Sequence, residues 1–85
     1  MKLSILIRSL YSREVMLNSL LANLYTQIVK GNYYFNVEVL VNRDNKEITS
    51  GAKANELLLA AAGKYIVFID DDDEVADNYL SLIHI

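Results

Sequence analysis

Tyr65-Ile66-Val67-Phe68-Ile69-Asp70-Asp71-Asp72-Asp73-Glu74 is the stretch on which the reading of the chain turns. Five apolar or aromatic residues run without a break into four aspartates and a glutamate. A short apolar run bounded by polar residues predicts a strand buried on both faces. The acidic cluster then falls where that strand leaves its sheet. Adjacent carboxylates repel one another and disfavour a compact state at neutral pH unless water or a cation screens them. The economical reading is a divalent cation site, with hard oxygen ligands suited to Mg²⁺, Mn²⁺ or Ca²⁺. The bland reading is a solvated acidic turn that caps a following helix. An EF-hand is excluded, because its sixth position needs glycine and counting from Asp70 reaches Val75.

Upstream, Leu3-Ser4-Ile5-Leu6-Ile7 reads as a first buried strand. Tyr11 or Ser12 precedes a helical pattern in which Leu17, Leu20, Leu21, Leu24 and Ile28 form one stripe. Glu14, Asn18 and Gln27 lie off that stripe, and Gly31-Asn32 stops the helix. Val37-Glu38-Val39-Leu40-Val41 is a second strand, followed by the polar segment Asn42-Arg43-Asp44-Asn45-Lys46-Glu47. Thr49 or Ser50 caps a second helix whose buried side is Ala54, Leu57, Leu58 and Ala61, with Gly63 at its end. A last helix opens near Asp77 and runs into the apolar residues Leu80, Leu82 and Ile83.

The order β-α-β-α-β-α predicts an α/β fold, Rossmann-like, with a parallel three-stranded sheet and flanking helices. Ligands of such sheets bind beyond the carboxyl ends of the strands. Here those ends are residues 8–11, 42–45 and 70–73, all carrying polar groups and all on one rim. One end can supply base contacts, another a carboxylate for a base N–H, and the third a metal under a diphosphate.

Bulk composition sets the outer limits. Eighty-five residues form one small domain at most. A chain 53% hydrophobic and 22% charged is globular rather than disordered. A net charge of -3 leaves no basic footprint for nucleic acid. No cysteine is present, so disulfides and thiolate metal sites are excluded. No apolar run approaches the roughly 20 residues of a membrane span, and the start lacks a signal-peptide pattern, so a soluble, cytoplasmic chain is expected. The apolar ending suggests the N-terminal piece of something longer, with Leu80, Leu82 or Ile83 exposed and available for self-association.

These blocks together resemble the nucleotide-binding part of a family 2 glycosyltransferase of GT-A fold. Leu3-Ser4-Ile5-Leu6-Ile7 matches the family's opening strand, and Asp44 stands where its second strand ends in aspartate. Gly51-Ala52-Lys53-Ala54-Asn55 is similar to the start of its second helix. Ala61-Ala62-Gly63-Lys64-Tyr65-Ile66-Val67-Phe68-Ile69-Asp70-Asp71-Asp72-Asp73 is similar to the block that ends in its DxD motif. Arg8 replaces a common proline, and Ala54 a common arginine. A haloacid-dehalogenase-like phosphatase also carries Asp-x-Asp on a strand, but near the N-terminus and with a following threonine, and neither holds here.

The resemblance implies that residues 1–85 are a single partial domain, the donor-binding half, with acceptor-binding half and catalytic base beyond it. It implies a nucleotide sugar, UDP-linked, as donor, and an acceptor saccharide or lipid-linked saccharide in a full enzyme. Asp70 and Asp72 become ligands of Mn²⁺ or Mg²⁺, with Asp70 or Asp71 holding ribose or a metal-bound water. Asp44 becomes the acceptor of a uracil-like N–H, against a turn aspartate bonding its own backbone. Ser9 and Tyr11 line the base pocket, unless Ser9 is a helix cap. Lys53 approaches the diphosphate, unless it is a solvated lysine. A binding module without catalysis and a structural remnant are the alternatives from other classes.

Overall fold

The computed structural model describes residues 2–45 and 49–83. Lys46 and Glu47 of the expected polar segment, and His84 and Ile85 of the expected last helix, lie outside the described residues. The order is β1 (Leu3–Leu10), a 3-10 turn (Tyr11–Arg13), α1 (Glu14–Gly31), β2 (Val37–Asp44), α2 (Ser50–Ala60), β3 (Tyr65–Asp70) and a one-turn α3 (Tyr79–Leu82). The three strands form one parallel sheet in the order β2-β1-β3. The α/β, Rossmann-like architecture is the one the alternating pattern called for. Among the described residues, no helix is long and apolar enough to cross a membrane.

β1 is the central strand, and five of its successive residues from Leu3 to Ile7 are buried. Its odd positions Leu3, Ile5 and Ile7 join Leu17, Leu20, Leu24 and Ile28 of α1 in the main core, with Val37, Ile69 and Leu80. Spacings of three and four along α1 put those leucines on one stripe. α1 ends as expected: Asn32 takes the left-handed conformation at φ 55°, and the N–H of Tyr33 returns to the carbonyl of Ile28 at 3.0 Å. α2 starts at Thr49, whose hydroxyl accepts the Ala52 N–H at 3.1 Å. It lies over the other face, where Asn42 reaches Glu56 at 2.6 Å and the Ala62 N–H reaches Glu38 at 2.7 Å. Helices on opposite faces follow from right-handed crossovers that run outward to β2 and then back past β1 to β3.

Four expectations are corrected. β3 is an edge strand of the described sheet, not one buried on both faces: Tyr65 is exposed, and on the opposite face Ile66 and Phe68 are exposed because α2 packs on β1 and β2 and leaves that face of β3 open. In α2 the buried residues are Lys53 and Leu57, whereas Leu58 is exposed and Ala54 and Ala61 are half-buried. Gln27 is buried rather than off the stripe. Its amide donates to Asn23 and to the Ala76 carbonyl, each at 2.7 Å, and accepts the Leu80 N–H at 2.9 Å. Asn23 also donates to the Val75 carbonyl at 3.0 Å. These amides pin residues 75–80 to α1, so Leu80 is fully buried while Leu82 and Ile83 stay exposed. Asn78, not Asp77, precedes the final turn, without a side-chain cap bond.

Candidate functional site

The sheet order places the end of β1 between the ends of β2 and β3. Arg8 sits opposite Asp70, and Leu10 opposite Asp44. The reversal of crossover direction falls between β1 and β3, the crevice where open α/β sheets bind ligands.

Four successive aspartates leave β3 there and divide by direction. Alternation turns Asp71 toward the α1 side, and it is only 2% exposed. The Ser9 hydroxyl donates to its Oδ2 at 2.7 Å, and Arg13 of the 3-10 turn donates to its Oδ1 at 3.1 Å. The Asp71 hydrogen bond and charge push the Arg13 guanidinium's pKa up. Asp70, Asp72 and Asp73 point outward, all exposed, with one carboxylate oxygen from each within 4.8 Å of the others. The turn is closed by two bonds: the Asp73 N–H to the Asp70 carbonyl at 3.0 Å, and the Asp70 N–H to Asp73 Oδ2 at 3.1 Å. Arg8 stands 3.7 Å from Asp70. Three hard oxygen donors on one anchored turn form a donor set that fits Mg²⁺, Mn²⁺ or Ca²⁺. A cleft of about 470 Å³ separates this turn from Val15, Met16 and Ser19 of α1.

Asp44 and Lys53 meet on the α2 side. Lys53 Nζ lies 2.7 Å from Asp44 Oδ1 and 3.1 Å from the Ser9 carbonyl, with side chains 6% and 5% exposed. Lys53 is thus placed behind the end of β2, rather than facing the acidic turn. Ser9 links the two halves of the rim: its carbonyl accepts from Lys53, its hydroxyl donates to Asp71. Tyr11 is exposed on the α1 side, where Arg43 stacks on its ring at 4.9 Å. The two bound an open pocket of about 440 Å³ with Leu17, Asn18 and Val41.

The family model for glycosyl transferase family 2 matches residues 21–83. The chain belongs to this family. No curated protein and no solved structure gives a significant match. Membership gives the chain a role in glycosyl transfer, and the family's substrates in general are a nucleotide sugar and an acceptor. The matched stretch contains Asp44, Lys53 and the aspartate turn of the family 2 chain, while Ser9, Tyr11 and Arg13 lie outside it.

Sequence reasoning missed three residues of the rim. The sequence reading gave Arg13 no role, and placed Arg43 only in the polar segment after the second strand. Asp73 belonged to the acidic run but not to the expected ligand pair. Asp73 is signalled by the turn itself, since residues i and i+3 of a β-turn come within bonding distance.

Proposed function

We propose that the carboxyl rim of this family 2 chain binds the nucleoside diphosphate of a nucleotide sugar, with a divalent cation held by the aspartate turn. The observation that carries it is the exposed triad Asp70, Asp72 and Asp73, anchored from beneath by buried Asp71. Bare carboxylates repel a diphosphate, so a cation between them is required for attraction. When bound, Mn²⁺ or Mg²⁺ supplies Lewis-acid stabilisation of a departing diphosphate.

The chain's own residues supply position. Asp70 and Asp72, with Asp73, offer the hard oxygens. Asp71 fixes the turn against Ser9 and Arg13. Tyr11, with Arg43 on its ring, offers a stacking surface for a base in the adjoining pocket. Asp44, held by Lys53, offers a carboxylate at the neighbouring strand end for a base N–H, which favours a uracil nucleotide. Ser9 orders both halves through one residue.

Calorimetric titration of UDP into the chain, with Mn²⁺ and with excess chelator, tests the reading. Binding only with Mn²⁺, lost in Asp72→Asn, is expected. Equal affinity in both conditions sinks the cation bridge, and equal affinity for UDP and ADP sinks the role of Asp44.

A further inference from the structure

Arg8 stands on the central strand, opposite Asn42 of β2 and Asp70 of β3, at the crevice where the crossovers reverse. Proline is common at this position in the family, so the guanidinium is a feature of this chain rather than of the family pattern. Other cations of the rim are already taken up. Arg13 donates to buried Asp71, Lys53 donates to Asp44 and to the Ser9 carbonyl, and Arg43 lies over Tyr11 at the end of β2.

Arg8 is held differently. Its guanidinium lies over the Phe68 ring, 5.6 Å from the centroid, and 3.7 Å from Asp70, a distance too long for a hydrogen bond. It makes no hydrogen bond among the described residues. Stacking holds a guanidinium by its face and leaves its N–H edges for another partner. Those edges sit beside the exposed turn of Asp70, Asp72 and Asp73, with the Arg8 side chain 34% exposed.

Charge says what that partner is. A divalent cation offsets two of the three exposed carboxylates of the turn, so a diphosphate arriving there still meets net negative charge. Arg8 offsets the third. An Asp70 oxygen taken by the cation is lost to Arg8, but the contact given up is only the loose one, and the ring still supports the guanidinium. The planar fork of N–H groups then matches a pair of phosphate oxygens.

We propose that Arg8 binds the diphosphate of the nucleotide sugar, beside the cation held by the aspartate turn. This rests on the reading of the rim as a cation-dependent diphosphate site, and adds to it a residue that touches the substrate. Arg8 contributes to phosphate affinity and leaves the affinity of the turn for the cation itself nearly unchanged.

That split is measurable. Arg8→Met keeps an apolar stem against Phe68, and circular dichroism checks that it folds. Mn²⁺ binding alone, read by electron paramagnetic resonance, should stay within about threefold, because a half-exposed pair at 3.7 Å contributes little. UDP and inorganic pyrophosphate, each titrated with Mn²⁺ present, should both bind the variant about tenfold or more weakly. Arg8→Lys, which keeps the charge and loses the fork, should recover part of that loss. In the unaltered chain with Mg²⁺, pyrophosphate should shift the Arg8 Nε–H resonance, a readout that stands even where Arg8→Met unfolds. An unmoved resonance overturns the proposal. So does equal UDP affinity in Arg8→Met and the unaltered chain, with the Mn²⁺ dependence intact in both, and that result leaves the cation-bridge reading standing. Loss of Mn²⁺ binding itself in a folded Arg8→Met also overturns it, by making Arg8 a brace of the turn. Absence of Mn²⁺-dependent UDP binding in the unaltered chain sinks the underlying reading and this inference with it.

Discussion

At the turn after β3, neighbouring side chains of identical chemistry do opposite jobs, and substitution separates them. Asp71→Ala leaves the buried Ser9 hydroxyl only the long contact to the Leu10 carbonyl at 3.4 Å, and removes the carboxylate that Arg13 meets. The expected loss is about 1–3 kcal/mol by chemical denaturation. Asp72→Asn, on an exposed carboxylate, should change stability by less than about 0.5 kcal/mol while removing Mn²⁺-dependent UDP binding. If Asp72→Asn unfolds the chain, or Asp71→Ala leaves it untouched, the division of labour is wrong. Lys53→Met removes the ammonium that lies 2.7 Å from the buried Asp44 carboxylate, and breaking such a buried pair costs about 3–5 kcal/mol. Replacing both by apolar residues should recover most of that, which a double-mutant cycle measures. The alternation that turns Asp71 away from Asp70 and Asp72 was legible in the sequence. What Asp71 meets was not, because Ser9 and Arg13 lie 62 and 58 residues away.

Among the elements, the junction from α2 to β3 carries the tightest demand on residue type. A Cβ on Gly63 would lie 2.5 Å from the backbone nitrogen of Ser4, so the central strand itself would have to move. The Gly63 N–H donates to the Ser4 hydroxyl at 2.8 Å, and that hydroxyl donates to Glu38 at 2.5 Å. Gly63→Ala should therefore lower the thermal midpoint, and amide exchange should quicken first in β3. The Ser4 hydrogen bond, then the Ala62 N–H, holds the Glu38 carboxyl below its ordinary pKa of 4.5. A carboxyl lowered by folding stabilises the native state above its unfolded value, and that contribution disappears as pH falls through the folded one. Stability should drop below about pH 4.5, and Glu38→Gln should flatten part of that drop. A parallel pH profile in Glu38→Gln would exclude the linkage. Strand and helix order was legible here from periodicity alone. The place of β3 in the sheet was not, since an apolar run does not tell a central strand from an edge whose outer face stays open. The burial of Gln27 was equally hidden: its partners Ala76 and Leu80 are set by tertiary packing rather than by helical spacing.

For the whole molecule the governing asymmetry is charge. The net charge is only -3, but five of the eleven acidic residues occupy positions 70–74. Three of those carboxylates crowd one exposed turn, and Arg8 and Arg13 are the cations paired with the turn among the described residues. Folding gathers this charge, so a cation that binds the gathered turn and not the open chain must stabilise the fold. The gain is RT ln(1 + [L]/Kd), or about 2.7 kcal/mol at a hundredfold excess over Kd. For a chain this small each 1 kcal/mol raises the thermal midpoint by roughly 4–8 °C. Mn²⁺ or Mg²⁺ should therefore raise the midpoint of the unaltered chain well beyond a NaCl control of equal ionic strength. UDP should add a further rise only when the cation is present, because the carboxylates otherwise repel it. The Asp72→Asn chain should lose both increments. A rise with UDP alone would show that the nucleotide is held without the aspartate turn, and a rise matched by NaCl would reduce the cation to screening.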